Sequence, residues 1–299
     1  MRSMEGKRLQ GILLKGIGGF YYAQGEDGSV YTLRAQGKLR RDRTKPKVGD
    51  RVEFSPGAGE EHGWILRIEP RKNELTRPPV ANVDVIAIVV AAASPEPDLL
   101  LADRLMLNAR RAGIGVKLVV SKSDLDPARA EAILNQYRGA DVSPIAVSSA
   151  NGTGIDALRS ALSGRIHALA GQSGAGKSTL INALYGLNME TGDLSRKIER
   201  GKNTTRHCEL IPVSGGMVLD TPGFSLLESE PFDPVLLKDG YPEFAPYEGQ
   251  CFFRPCYHAT EPKCAVLDAV RAGEIDEERH ARYVALLAEI KEQWRDRYD

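Results

Sequence analysis

Residues 165–185 read RIHALAGQSGAGKSTLINALY, and this run constrains the fold more than any other part of the chain. An apolar β segment leads into Gly171-Gln172-Ser173-Gly174-Ala175-Gly176-Lys177-Ser178, a complete G-x-x-x-x-G-K-[ST] motif, and Thr179 continues into a helical stretch. Glycines let successive backbone N–H groups face phosphate oxygens, and the helix that follows adds the positive end of its dipole. Lys177 is placed to reach the β- and γ-phosphates of a nucleotide, and Ser178 to ligate Mg²⁺. Such a loop belongs at the carboxyl end of a strand in a parallel sheet.

The surrounding rhythm agrees. VDVIAIVVAA (83–92) is a near-continuous apolar run, as expected of a strand buried on both faces. LLLADRLMLNARRAG then reads as a helix, VKLVVSKSD as strand and loop, PARAEAILNQYRG as a helix, SPIAVSSANG as strand and loop, and GIDALRSAL as a helix. Strands alternating with helices predict a parallel sheet covered on both sides.

The reader of the base is expected in an Asn-Lys-x-Asp-like motif well after the phosphate loop, yet no Lys-x-Asp follows Lys177. The chain holds one, Ser121-Lys122-Ser123-Asp124, and it precedes the loop. It also follows an apolar strand. Asp124 would accept hydrogen bonds from guanine N1–H and its exocyclic amine, and the stem of Lys122 would pack on the ring. Ser148-Ser149-Ala150 ends the next strand, where a backbone amide would meet guanine O6. After the phosphate loop come RGKNTTRH, whose Thr204 or Thr205 would close onto Mg²⁺, and Asp220-Thr-Pro-Gly223 at the end of the strand-like GGMVLD. Asp220 would hold Mg²⁺ through water and the Gly223 amide would sense the γ-phosphate. The parts of a GTPase are all present in rotated order, so the chain reads as a circular permutation.

Two flanking regions differ in kind. Residues 1–69 contain GGFYYAQ, SVYTLRAQG, DRVEFSPG and GWILRIEP, short β segments broken by Gly, Pro and Asp. A small oligonucleotide-binding (OB) barrel fits, and an SH3-like barrel reads the same way. Residues 1–51 hold twelve Lys/Arg against five acids, although the whole chain has no net charge. A local surplus of that size suits a phosphate backbone or a plain solvated face. From about 230 the chain is rich in Pro, Gly and aromatics, then ends in mixed-charge helices. Cys251-x₄-Cys256-x-His258-x₅-Cys264 supplies four ligands for a closed tetrahedral Zn²⁺, one structural ion per chain. Cys208 stands apart and reads as a buried strand residue. The absence of an apolar membrane span and of a secretory leader predicts a cytoplasmic protein.

Taken with KGIGGFYY, VGDRVEF and PRKNELTRPPVANVD, these motifs make the sequence similar to the RsgA (YjeQ/YloQ) family of circularly permuted GTPases over nearly its whole length. The resemblance implies an OB barrel at 1–69, a permuted α/β P-loop GTPase domain at 70–229 and a zinc-binding, mostly α-helical domain at 230–299. It implies action on the small (30S) ribosomal subunit and its 16S rRNA in late maturation, with hydrolysis of GTP to GDP stimulated there and driving release. Lys177, Thr205, Asp220 and Gly223 would then form the catalytic set, and Ser178 with Thr205 the Mg²⁺ site. Neither a membrane nor DNA is an expected partner, and a monomer is expected. The family commonly has Asn or Thr where this chain has Ser121, so a weaker tether between base loop and phosphate loop is expected. It commonly has His where this chain has Asn203, and Phe224 stands where Ras-like enzymes carry the water-positioning Gln. Two other readings fit the residues. One is a P-loop ATPase with a zinc module, for which Asp124 is incidental. The other is a non-enzymatic rRNA-binding assembly protein with a vestigial nucleotide site.

Overall fold

The N-terminal strands alternate in and out of a small core, and that alternation closes them into a barrel. In a computed structural model that describes residues 8–37, 44–57, 61–187, 208–220 and 231–296, they are β1 (Leu9–Ile17), β2 (Phe20–Gly25), β3 (Val30–Ala35), β4 (Arg51–Ser55) and β5 (Gly63–Ile68). Their order is β2-β3-β5-β4-β1, and β1 returns to pair with β2. β3 and β5 run parallel while the other pairs are antiparallel. Leu13, Ala23, Leu33, Val52, Phe54 and Ile65 fill the interior. This is a five-stranded barrel of the OB type. Sequence reading found four of the five strands. It missed β1 because a register shift between Leu13 and Lys15 interrupts the period of two and leaves the adjacent Leu13 and Leu14 both buried.

The chain divides into two compact units. The first comprises Met1–Val85, Leu162–Ala168 and Leu194–Phe224. Besides the barrel it contains the antiparallel pair β10 (Glu209–Val213) and β11 (Gly216–Asp220), and the start of β9 (Arg165–Ala170), which lies parallel to β11. β1 meets β10 where Lys15 faces Glu209, and the two side chains form an ion pair of 3.0 Å.

The second unit comprises Ile86–Ala161, Leu169–Asp193 and Ser225–Asp299. All seven residues of β6 (Val85–Ala91) are buried, which explains its uninterrupted apolar sequence. β7 (Gly115–Ser121) lies beside it and β8 (Ile145–Ala146) runs parallel to β7. The crossover helices are α1 (Leu99–Arg111), α2 (Pro127–Gln136) and α3 (Ile155–Leu162), and α4 (Lys177–Tyr185) follows the phosphate loop. Asp98 and Asp126 cap α1 and α2 by accepting from the Leu101 and Arg129 amides. The C-terminal part of this unit has two 3-10 segments, Pro234–Gly240 and Pro242–Tyr247, then α5 (Ala265–Arg271) and α6 (Glu277–Arg295).

A buried charge cluster joins α6 to α1. The Asp103 carboxylate is fully buried and accepts from Arg279 Nη1 at 2.6 Å, Arg282 Nε at 2.7 Å and the Tyr137 hydroxyl at 2.6 Å. Arg279 also pairs with Glu243, and its guanidinium lies 4.7 Å from the ring centroids of both Tyr137 and Tyr241. Removing one partner of such a buried set strands the remaining charges. We predict that Asp103→Ala lowers stability by about 3–5 kcal/mol in urea unfolding followed by circular dichroism. A loss below about 1 kcal/mol would show that apolar packing alone holds α6.

Candidate nucleotide and metal sites

The phosphate loop has the backbone its glycines foretell. Gly171 has φ +129°, and a Cβ there would lie 2.1 Å from the Val89 carbonyl oxygen on β6. A side chain at this point is therefore excluded by backbone, not by a movable neighbour. Gly176, at φ +90°, leads directly into α4. Lys177 Nζ donates to the carbonyls of Gly171 and Gln172, both at 2.8 Å, and burial lowers its pKa. Its ammonium is thus fixed inside the curve of the loop, close to the amides of the turn.

The base loop is bonded to the phosphate loop. Ser121, buried at the end of β7, donates its hydroxyl to the Ala175 carbonyl at 2.6 Å and lies 3.2 Å from the Val90 carbonyl. Although serine is short, β7 carries Ser121 close enough to the phosphate loop for a short bond. Lys122 adopts φ +55° and extends across the phosphate loop, donating to the Gly174 carbonyl at 2.9 Å and to that of Ser94. The Ser123 amide donates to Val147 at 3.2 Å, and the Leu125 amide closes the turn onto Lys122. Asp124 is exposed, and among the described residues its carboxylate has no hydrogen-bond partner. Both acceptor oxygens are available to a ligand.

At the end of β8, Ser148 shapes the third loop. It is buried, and its Oγ accepts from the Ala150 and Asn151 amides at 3.2 and 3.3 Å. The Ser149 amide has no partner among the described residues, so it is the better placed donor of the three. The segment 94–98 also belongs to this group, since Ser94 accepts from Lys122 and the Asp98 amide donates to Gln172 Oε1 at 3.4 Å. Sequence reading passed over it because SPEPD carries no motif for this use.

The switch residues fall differently. Asn203, Thr204, Thr205, His207, Gly223 and Phe224 lie outside the described residues. Asp220 ends β11 in the first unit, where burial raises its pKa and the charge of Glu209, its cross-strand partner, adds to the rise. Cys208 immediately precedes β10 and is half-buried rather than buried in a strand. Burial pushes its thiol up to about 11, with a contribution from Asp220.

Cys251, Cys256, His258 and Cys264 converge in the second unit, all four buried. Cys264 Sγ lies 3.8 Å from Cys251 Sγ and 3.7 Å from Cys256 Sγ, and His258 Nδ1 lies 3.6 and 3.3 Å from Cys251 and Cys264. A disulfide would require about 2 Å. A tetrahedral ion with Zn–S of about 2.3 Å and Zn–N of about 2.0 Å places its sulfurs about 3.8 Å apart and its nitrogen about 3.5 Å from each sulfur. The residues fit Zn²⁺. Glu248 Oε1 lies 2.9 Å from His258 Nε2, which orients the ring so that Nδ1 faces the thiolates, and Lys238 holds the other carboxylate oxygen at 2.7 Å. Burial pushes the Cys256 thiol up to about 12, so a cation at the centre would be what draws these protons off.

Comparisons with known proteins agree with this geometry. The family model of the RsgA N-terminal domain matches residues 10–65, and that of the RsgA GTPase matches 68–230. The chain is 46% identical over 286 residues to the small ribosomal subunit biogenesis GTPase RsgA of Ruminiclostridium cellulolyticum, covering 94% of each chain. It is 44% identical to that of Geobacillus thermodenitrificans, over 95% of this chain and 98% of the relative. Among solved structures, YjeQ from Thermotoga maritima superposes with a TM-score of 0.82 at 34% identity, covering 95% of this chain and 99% of that one. YloQ, described as a circularly permuted GTPase, superposes at 0.80 with 30% identity and 98% coverage of both. A barrel, base loops that precede the phosphate loop, and full-length similarity all lead to one assignment: the chain belongs to the RsgA family of GTPases.

Proposed function

We propose that this protein hydrolyses GTP in the late maturation of the small ribosomal subunit, and that docking on the subunit stimulates hydrolysis, which drives release. The observation that carries the nucleotide half is the bonding of Ser121 and Lys122 to the carbonyls of Ala175 and Gly174. It presents a base-reading carboxylate and a phosphate cradle to one ligand. The ribosomal half is supported by relatives that bear that name at 44–46% identity over nearly their full length.

In this reading Asp124 accepts from guanine N1–H and N2–H₂, which adenine does not offer in that arrangement. Lys122 covers one face of the base, and Ser149 N–H donates to O6 from the turn held by Ser148, with Ala150 next to it. The amides of residues 172–179, including Ser173, and the Lys177 ammonium bind the phosphates; Ser178 ligates Mg²⁺. Mg²⁺, when bound, neutralises charge on the β- and γ-phosphates. Thr205, Asp220 and Gly223 take the switch roles, on their sequence positions. Phe224 cannot orient water, so intrinsic turnover is slow and the subunit completes the site. The barrel at 1–69 and its cationic surplus contact 16S rRNA, the GTPase domain occupies 70–229, and the zinc domain 230–299 holds one structural ion. The protein works in the cytoplasm as a monomer. Among the described residues no helix is long and apolar enough to cross a membrane.

A GTPase assay with and without purified small subunits tests the reading. The expected result is slow turnover alone and at least tenfold stimulation by subunits; fast turnover that subunits leave unchanged would contradict it. Asp124→Asn is expected to weaken guanine nucleotide binding by about 1–3 kcal/mol in competition with ATP, the cost of stranding the buried donors of the base. Equal loss for both nucleotides would favour the ATPase reading. Glu248→Gln is expected to lower Zn²⁺ affinity about 10- to 100-fold in a chelator competition, because the ring of His258 loses its anchor. Unchanged affinity would remove Glu248 from the metal site.

A further inference from the structure

The outer face of the barrel carries aromatic side chains that its core does not use. Along β2 and β3 the inward positions go to Tyr21, Ala23, Tyr31 and Leu33, which pack in the interior. The outward positions form a row. Phe20 faces Arg34 across the β2–β3 pairing, and Arg34 faces Trp64 across the β3–β5 pairing. The Arg34 guanidinium lies 4.3 Å from the Phe20 ring centroid. His62 sits edge-on to both rings, 5.8 Å from Phe20 and 5.1 Å from Trp64. In the next row Lys15 lies 5.3 Å over Tyr22, its partner across the β1–β2 pairing.

Cross-strand pairing explains why Phe20 and Arg34 touch. It does not explain an indole left 42% exposed, with Ile17 beside Phe20 at 41%. Phe20 and Trp64 stand on the two neighbours of β3, so their rings are about 10 Å apart at ordinary strand spacing, with Arg34 between them. That arrangement suits two successive splayed bases, one on each ring, with the linking phosphate over the guanidinium. A base-paired helix cannot present its bases in that way. Lys15 over Tyr22 and Arg34 over Phe20 supply matching charge on this face.

We propose that this face is a stacking platform for unpaired RNA bases, with Phe20 and Trp64 as the two stacking rings and Arg34 as the phosphate contact between them. The proposal rests on the rRNA-binding role given to the barrel above and adds the mode of contact. It distinguishes recognition of single-stranded RNA from binding of any backbone.

The test uses the full-length chain with Trp294→Phe, which leaves Trp64 as the single tryptophan. Its emission is followed on titration with a single-stranded oligoadenylate of about eight nucleotides and with an RNA duplex of equal length. Binding by the variants is read from the anisotropy of a labelled oligomer, with thermal melts and GTP turnover to verify folding. The single strand is expected to quench Trp64. Trp64→Leu and Phe20→Leu should each weaken its binding about 5- to 100-fold at constant salt slope. Trp64→Phe keeps a ring and should keep most of the affinity, and Arg34→Met should reduce the salt slope by about one charge. Unquenched Trp64, or ring variants that bind like the parent, would overturn the platform and leave the RNA-binding role in place. Equal quenching by the duplex would also overturn it. A parent protein that binds no RNA while still hydrolysing GTP would overturn both the platform and the rRNA-binding role.

Discussion

A hydroxyl at the end of one strand bonded to a carbonyl in the loop after another is the contact on which the nucleotide site depends. Ser121 closes β7 and Ala175 lies in the loop after β9, and their 2.6 Å hydrogen bond fixes the base loop against the phosphate cradle. Lys122 doubles the connection through Gly174. Both acceptors are backbone carbonyls, whose positions follow from the path of the glycine loop. Gly171 makes that path possible by passing within a forbidden Cβ distance of Val89. Because the sheet brings these loops together, their order along the chain is free. A permutation that puts the base reader before the phosphate loop leaves the site intact.

The same unit uses two different means to hold its C-terminal part. The 3-10 segments and the residue between them place Leu237, Tyr241 and Phe244 in an apolar core with Tyr283, Leu286 and Leu287 of α6, and the Cys251, Cys256, His258, Cys264 cluster at its edge supplies four fixed points that a metal ion can join. The buried Asp103, with Arg279, Arg282 and Tyr137 around it, then docks α6 on α1. A charge so completely enclosed is tolerated because both carboxylate oxygens accept from strong donors, and that requirement gives the docking a single geometry. Since Asp98, which caps α1, meets Gln172 through its amide, the helix that receives α6 also borders the phosphate loop.

Much of this was legible in the sequence, for physical reasons that differ by region. The phosphate loop was, because glycines at 171, 174 and 176 answer a backbone demand that few other sequences meet. β6 was, because burial on both faces forces an apolar run. The proposed base reader rests on its chemistry, Lys and Asp at one spacing after a strand, once chain order is set aside. β1 was missed because a bulge breaks the alternation that marks a strand. The bond from Ser121 to Ala175 could not be read from side-chain length alone, because it depends on how closely the backbones approach. The part played by 94–98, and the Asp103 cluster, had no local signal. Each depends on residues brought together from distant points in the chain, such as Asp103 with Arg279. The outward row Phe20–Arg34–Trp64 is likewise invisible until the register of three strands is known.

The central claim is that the loop at 121–124, encoded before the phosphate loop, reads guanine in a site shared with residues 171–178. Amide hydrogen exchange on the protein with saturating GDP or ADP tests it most directly. The account predicts that GDP slows exchange in both segments together and that ADP protects neither to the same degree. Protection confined to 171–178, or equal protection of 121–124 by ADP, would contradict it.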